Sequence, residues 1–205
     1  MKPESQTRIS AKEDRGVQRW VMSVVVRLAV PADAEAMARV HVASWQFAYR
    51  GMLDDELLDG LDWRDRRKFW TRILRRPAIP ESANHVIVAD DRIIGFASVG
   101  PCRDEDRSSA AQWEVYGLYL EPSSIGRGFG VALTNHAFAH IPAHVDEISL
   151  WVIAANQRAR TFYERIGFTL DGFDQYTQIG DHKVHEVRYV RPHAMEGPEA
   201  QGPVD

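Results

Sequence analysis

Val115-Tyr116-Gly117-Leu118-Tyr119-Leu120-Glu121-Pro122-Ser123-Ser124-Ile125-Gly126-Arg127-Gly128-Phe129-Gly130-Val131-Ala132-Leu133 is the stretch on which the reading of this chain turns. Its first part is an apolar, aromatic run of strand length, and Pro122 stops it. The glycines at 126, 128 and 130 follow, and a helical pattern begins at once. Closely spaced glycines let consecutive backbone N–H groups converge without Cβ obstruction. A helix N-terminus adds its dipole and its unpaired N–H groups, which makes an anion site suited to a pyrophosphate. The same residues also read as a plain tight turn at a strand–helix junction, and taken alone they leave both readings open. A dinucleotide fingerprint does not fit, because the run is G-x-G-x-G with no acidic residue closing a second strand at the required distance. No G-x-x-x-x-G-K-[ST] motif is present, which argues against a P-loop.

Further on, Leu150-Trp151-Val152-Ile153-Ala154-Ala155-Asn156-Gln157-Arg158-Ala159-Arg160-Thr161-Phe162-Tyr163-Glu164-Arg165-Ile166-Gly167-Phe168 repeats the strand-to-helix change. Asn156 leaves the strand and is the expected helix cap. Ala159, Phe162 and Tyr163 fall three and four apart on one face. Gly167 is the expected left-handed stop.

Outward from these segments, period and punctuation predict one mixed α/β (α+β) domain over 22–191. Val24–Val30 reads as a strand stopped by Pro31, with Asp33 as N-cap of a helix bearing Met37, Val40 and Ser44 on one face. A short helix carries Leu53, Leu57 and Leu58. A longer one spans Asp62–Arg76 with Phe69, Trp70, Ile73 and Leu74 inward. His85–Ala89 and Ile93–Val99 flank the hairpin signal Asp90-Asp91. A polar loop, expected to be mobile, covers Arg103–Ser109. Trp113–Leu120 is a strand, Gly128–His140 a helix ended by Pro142, Ile148–Ile153 a strand and Gln157–Arg165 a helix. The last strands surround Leu170 and Val187–Val190. The sequence strand, glycine loop, helix, strand requires a parallel crossover. Residues 1–21 and 192–205 are polar or rich in Gly and Pro, and are expected to be a flexible leader and tail.

The bulk composition narrows the function. A net charge of −4 argues against a protein that grips phosphate backbones, so no nucleic-acid partner is expected. No apolar run reaches the roughly 20 residues of a membrane span. One cysteine, Cys102, precludes an internal disulfide framework and suits a reducing compartment, so a cytoplasmic location is expected. His136, His140 and His144 recur every four residues, but Pro142 interrupts the helix and no carboxylate completes a set. No metal is expected.

The two quoted segments resemble the acyl-CoA-binding motifs of the GCN5-related N-acetyltransferase (GNAT) superfamily, in the family's order. The resemblance extends over about Val24–Val190, and Trp113–Phe168 is its diagnostic part. It implies a mixed, mostly antiparallel sheet of six to seven strands flanked by about four or five helices. It implies that the strands holding Leu118 and Ile148 splay apart around the pantetheine arm of acetyl-CoA. Carried over, Leu118, Tyr119 and Leu120 offer main-chain groups to that arm. The loop Ile125, Gly126, Arg127, Gly128, Phe129, Gly130 and Val131 wraps the pyrophosphate. Asn156, Ala159, Phe162 and Tyr163 complete the cofactor side. Where relatives open the loop with Gln or Arg this chain has Ile125, a departure that favours the alternative of an acyl-CoA-binding module without catalysis; Arg127 beside it supplies polarity.

The implied reaction moves an acetyl group from acetyl-CoA directly to an amine of a small molecule or peptide. Tyr163 occupies the family position whose phenol approaches the CoA sulfur, and is the expected general acid. Glu114, opening an apolar strand, is the expected general base, its pKa raised by partial desolvation. Trp45 and Tyr49 are expected in the acceptor pocket, where aromatic faces suit an amine. Homodimers are common among proteins of this resemblance, so a homodimer is possible here and the oligomeric state is left open.

Overall fold

Asp90 and Asp91 both take positive φ, 46° and 62°, the backbone that a two-residue hairpin of right-twisted strands demands. Their turn joins β3 (Ala83–Ala89) to β4 (Arg92–Pro101), two inner strands of the sheet. The computed structural model describes residues 7–8, 23–75, 82–108 and 110–193. Apart from 7–8, the leader expected at 1–21 lies outside them, as do Arg76, Ser109 and the tail from residue 194 onward.

The remaining elements are β1 (Thr7–Arg8), β2 (Val24–Leu28), α1 (Ala34–Ala48), α2 (Asp55–Asp59), α3 (Trp63–Arg75), β5 (Gln112–Leu120), α4 (Phe129–Phe138), β6 (Glu147–Ile153), α5 (Gln157–Arg165), β7 (Thr169–Ile179) and β8 (His182–Pro192). The sheet order is β1-β2-β3-β4-β5-β6-β8-β7, and only β5 and β6 run parallel. The two-residue β1 is an edge addition to the seven longer strands, so the sheet is the mixed, mostly antiparallel one that the resemblance implies.

Strand alternation sorts the core into two layers. Val86 and Phe96 face α1 and α3 and pack on Met37, Val40 and Trp70. Ile87, Ala97 and Val99 face the opposite way and pack under Leu133 and Ala137 of α4. No helix among the described residues is long and apolar enough to cross a membrane.

Three local expectations change. Asp33 precedes α1 but makes no cap hydrogen bond. Its carboxylate turns back to accept from the Val30 N–H at 2.8 Å and pairs with Arg27, because the ion pair and the N–H of the preceding turn together satisfy both oxygens. Phe69 is exposed while its neighbour Trp70 is buried, since only one of two adjacent residues faces the sheet.

The polar loop after β4 is tied down. Buried Arg188 of β8 binds Asp104 at 2.9 Å, Asp106 at 2.7 Å and Asp171 at 2.7 Å. Arg107 pairs with Glu147 and Asp171. These partners lie on strands far along the chain, so a reading of the local segment sees only solvated charge. Removing one member of a buried ion-pair cluster strands the others, at about 3–5 kcal/mol. Arg188→Met is therefore expected to lower the melting temperature by roughly 10 °C, as read by circular dichroism. Arg188 also holds the Asp106 carboxylate below the usual range, mainly by hydrogen bonding. A depressed native pKa contributes stability above the unfolded value and loses it as pH falls through the native one, so wild type should lose more stability in acid than Arg188→Met.

Candidate active site

β5 and β6 pair only from Gln112 to Glu114 against Glu147 to Ser149. Beyond that point the strands diverge, and the edge of Val115–Leu120 facing β6 has no ladder partner among the described residues. A bulge assists: Ser98 pairs with Gly117 and Val99 with Val115, so Tyr116 is the extra residue that bends β5. The Tyr116 hydroxyl donates to the Pro101 carbonyl at 2.6 Å and fixes the bend. Unpaired strand edges need partners, and a bound chain with amide groups can supply them. The gap continues as a cleft of about 710 Å³ running to the glycine loop.

At one end of the cleft, Gly126 and Gly128 have φ of 80° and 83°, and a Cβ built on either meets nothing within 4 Å. Their freedom therefore serves the backbone turn and leaves open space above it. The third glycine serves packing: a Cβ on Gly130 would lie 3.1 Å from the Phe162 ring, so glycine lets α4 close on α5. The N–H groups of Phe129, Gly130 and Val131 open α4, ahead of the first helical bond from Ala132 to Gly128. Unpaired N–H groups at a helix start are suited to an anion. Arg158 and Arg165 also line the cleft.

α5 forms the wall beyond. The Asn156 side chain accepts from the Ala159 N–H at 3.1 Å, the expected cap, and Gly167 ends the turn after the helix with φ of 92°. This orients Tyr163 inward, half-buried against the core below and lining the cleft. Burial, with Tyr119 adding, pushes its phenol well above the ordinary value, so the hydroxyl keeps its proton at neutral pH. Across the cleft the Ser44 hydroxyl donates to the Leu120 carbonyl at 3.1 Å and pins α1 to the end of β5. Tyr49 lines the cleft there, its phenol raised by burial and by nearby Tyr119, Tyr163 and Glu186.

Most of the expected residues converge. Leu118, Tyr119, Leu120, Ile125, Gly126, Gly128, Gly130, Val131, Asn156, Ala159, Phe162, Tyr163 and Tyr49 line the cleft. Phe129 turns its side chain into the core and is off the cleft lining. Arg127 lies over the Phe129 ring, 5.1 Å from its centroid, off the lining. Trp45 stands behind the lining, its ring edge-on to Tyr49 at 5.1 Å, so it supports the wall without facing the cleft.

Glu114 is placed otherwise than expected. It is buried, off the cleft lining, and its carboxylate accepts from Arg103 Nε at 2.9 Å as well as from Nη2. The carboxylate that does line the cleft is Glu186 of β8, opposite Ile153 of β6. One of its oxygens, Oε2, accepts from Thr177 at 2.7 Å and Gln175 at 3.0 Å. No local motif marks Glu186. A carboxylate next to Val187 within β8 was the available signal, and it needs the β6–β8 register to become meaningful.

Residues 44–168 match the family model of the Acetyltransferase (GNAT) family. The chain is 27% identical over 152 residues to a probable N-acetyltransferase of Mycobacterium tuberculosis, spanning 73% of this chain and 82% of that protein. It is 30% identical over 137 residues to an uncharacterized N-acetyltransferase of Bacillus subtilis, spanning 65% of this chain and 73% of that one. Among solved structures, the PaiA N-acetyltransferase of Thermoplasma acidophilum in complex with coenzyme A superposes with a TM-score of 0.66 at 21% identity, over 83% of this chain and 99% of the other. With the split sheet and its glycine loop, these likenesses show that the chain belongs to the Acetyltransferase (GNAT) family and is an acyltransferase.

Proposed function

We propose that the cleft takes acetyl-CoA as acyl donor and passes the acetyl group directly to an amine of a small molecule or peptide. The observation that carries this reading is the unpaired edge of β5 running straight into the Gly126–Val131 cradle. An extended arm with two amides and a pyrophosphate at its end matches that edge and that cradle. The Thermoplasma protein's coenzyme A complex supports the same assignment.

When bound, acetyl-CoA supplies an activated carbonyl and a thiolate leaving group. The chain supplies the rest. Main-chain N–H groups of β5 near Leu118 are the donors for the charge that grows on the carbonyl oxygen. Tyr163, protonated at neutral pH, donates its proton to the departing sulfur. An alkyl amine has a solution pKa near ~10.4 and must shed a proton to attack. We assign that task to Glu186 rather than Glu114, because Glu186 faces the cleft and Glu114 is occupied by Arg103. Cys102, the chain's one cysteine, is buried 3.6 Å from the Ser149 hydroxyl and off the lining, which favours direct transfer over a thiol-bound enzyme. Tyr49 and Phe47 form the acceptor's wall.

Calorimetric titration with acetyl-CoA, CoA and NAD tests the donor assignment. Micromolar binding of both CoA species with none of NAD is expected, and tighter binding of NAD would refute it. For the base, Glu186→Gln is expected to lower kcat/KM for the amine by about 100-fold. The KM for acetyl-CoA should stay put. Glu114→Gln should leave kcat/KM near wild type; the opposite pattern would return the role to Glu114.

A further inference from the structure

His85 sits in β3 on the face covered by α4, fully buried, and neither of its ring nitrogens has a hydrogen-bond partner among the described residues. An orphaned imidazole in a core is uncommon, since buried polar groups are normally satisfied. Two further histidines close over it. His136 and His140 come from the C-terminal end of α4 and the turn after it, four apart and therefore on one side. Ring centroids are 5.3 Å from His85 to His136, 4.8 Å from His85 to His140 and 4.7 Å from His136 to His140. One nitrogen from each ring lies within 4.8 Å of the others.

We propose that His85, His136 and His140 form a site for a divalent transition-metal ion, zinc being the species that best fits three imidazoles. Zinc–nitrogen bonds of about 2.1 Å in a tetrahedron place ligand nitrogens about 3.4 Å apart, so small rotations of the rings close the set onto one ion. The tautomer is prepared at one corner. His140 Nδ1 lies 2.8 Å from the His136 carbonyl oxygen, where it donates, and this leaves the Nε2 lone pair free to bind an ion. Burial keeps the His85 ring neutral, as a ligand must be. His140 is exposed, so the fourth position opens to solvent and takes water.

The place in the fold defines the role. His136 is eight residues beyond Gly128, about 12 Å along α4, so the ion lies away from the acyl-transfer cleft. It would clamp the C-terminal end of the helix whose N-terminal end forms the anion cradle. The sequence pattern concealed this set: His144 appeared to be the third member, whereas the third member is His85, delivered by a strand far upstream.

The test uses tag-free, chelator-treated full-length protein titrated with Zn²⁺ by calorimetry and with Co²⁺ by its visible absorption. One equivalent of each is expected, with Zn²⁺ displacing Co²⁺ and raising the melting temperature. His136→Ala and His140→Ala, both away from the cleft, should each weaken Zn²⁺ binding by at least about 10-fold. Acetyl-CoA affinity and metal-free melting temperature should stay as in wild type. No saturable binding, or binding that both variants leave unchanged, would overturn the proposal.

Discussion

Replacing Gly126 and Gly128 together by valine is expected to abolish measurable acetyl-CoA binding at concentrations that saturate wild type. Both residues hold φ near 80°, a region that costs an L-residue roughly 1–2 kcal/mol, and valine more than alanine. The chain can relieve that strain only by moving the loop, which misdirects the N–H groups at the start of α4. Hydrogen bonds to a charged phosphate are worth about 1.5–3 kcal/mol each. Losing two of them lowers affinity by at least about 100-fold. The new side chains add to this, since each Cβ would enter the space left open above the loop. The fold should survive, because a Cβ at either position meets nothing within 4 Å. Circular dichroism should show a wild-type spectrum with a melting temperature a few degrees lower. Retained affinity in the doubly substituted protein would mean that the loop is a turn and nothing more.

The second large effect falls on turnover. Tyr163→Phe removes one oxygen and leaves the ring against the core it already packs on. Proton donation by a positioned side chain contributes about 100-fold or more, so kcat should fall by at least that factor. Acetyl-CoA affinity should change little. That split separates an acid from a packing residue: a structural role would move the melting temperature and KM and spare kcat. Unchanged kcat would remove Tyr163 from the mechanism.

Much of the fold was legible because its signals are local. The diaspartate turn between β3 and β4, the Asn156 cap and the Gly167 stop each depend on a few adjacent residues, and each takes the expected form. The glycine loop was legible for the same reason. What escaped was set by partners distant in sequence. The loop after β4 looked solvated until Arg188 was placed beneath it, and Asp33 looked like a cap until Arg27 claimed its carboxylate. Glu114 and Glu186 illustrate the point within the site. Both are carboxylates in strands, and only strand register shows that one meets Arg103 while the other meets the cleft. Trp45 and Tyr49, four apart on one side of α1 and its C-cap, were equivalent by spacing. The packing of α1 on β5 puts Tyr49 in front and Trp45 behind.

The most direct test of the whole account is a coupled measurement on one reaction mixture. Purified protein, acetyl-CoA and a panel of small amines and peptide N-termini would be followed for released CoA thiol, and the products weighed by mass spectrometry. Thiol release is expected to require one of the amines and to be matched one for one by its acetylated form, both lost in Tyr163→Phe. Tight acetyl-CoA binding with no amine-dependent thiol release across the panel would contradict it.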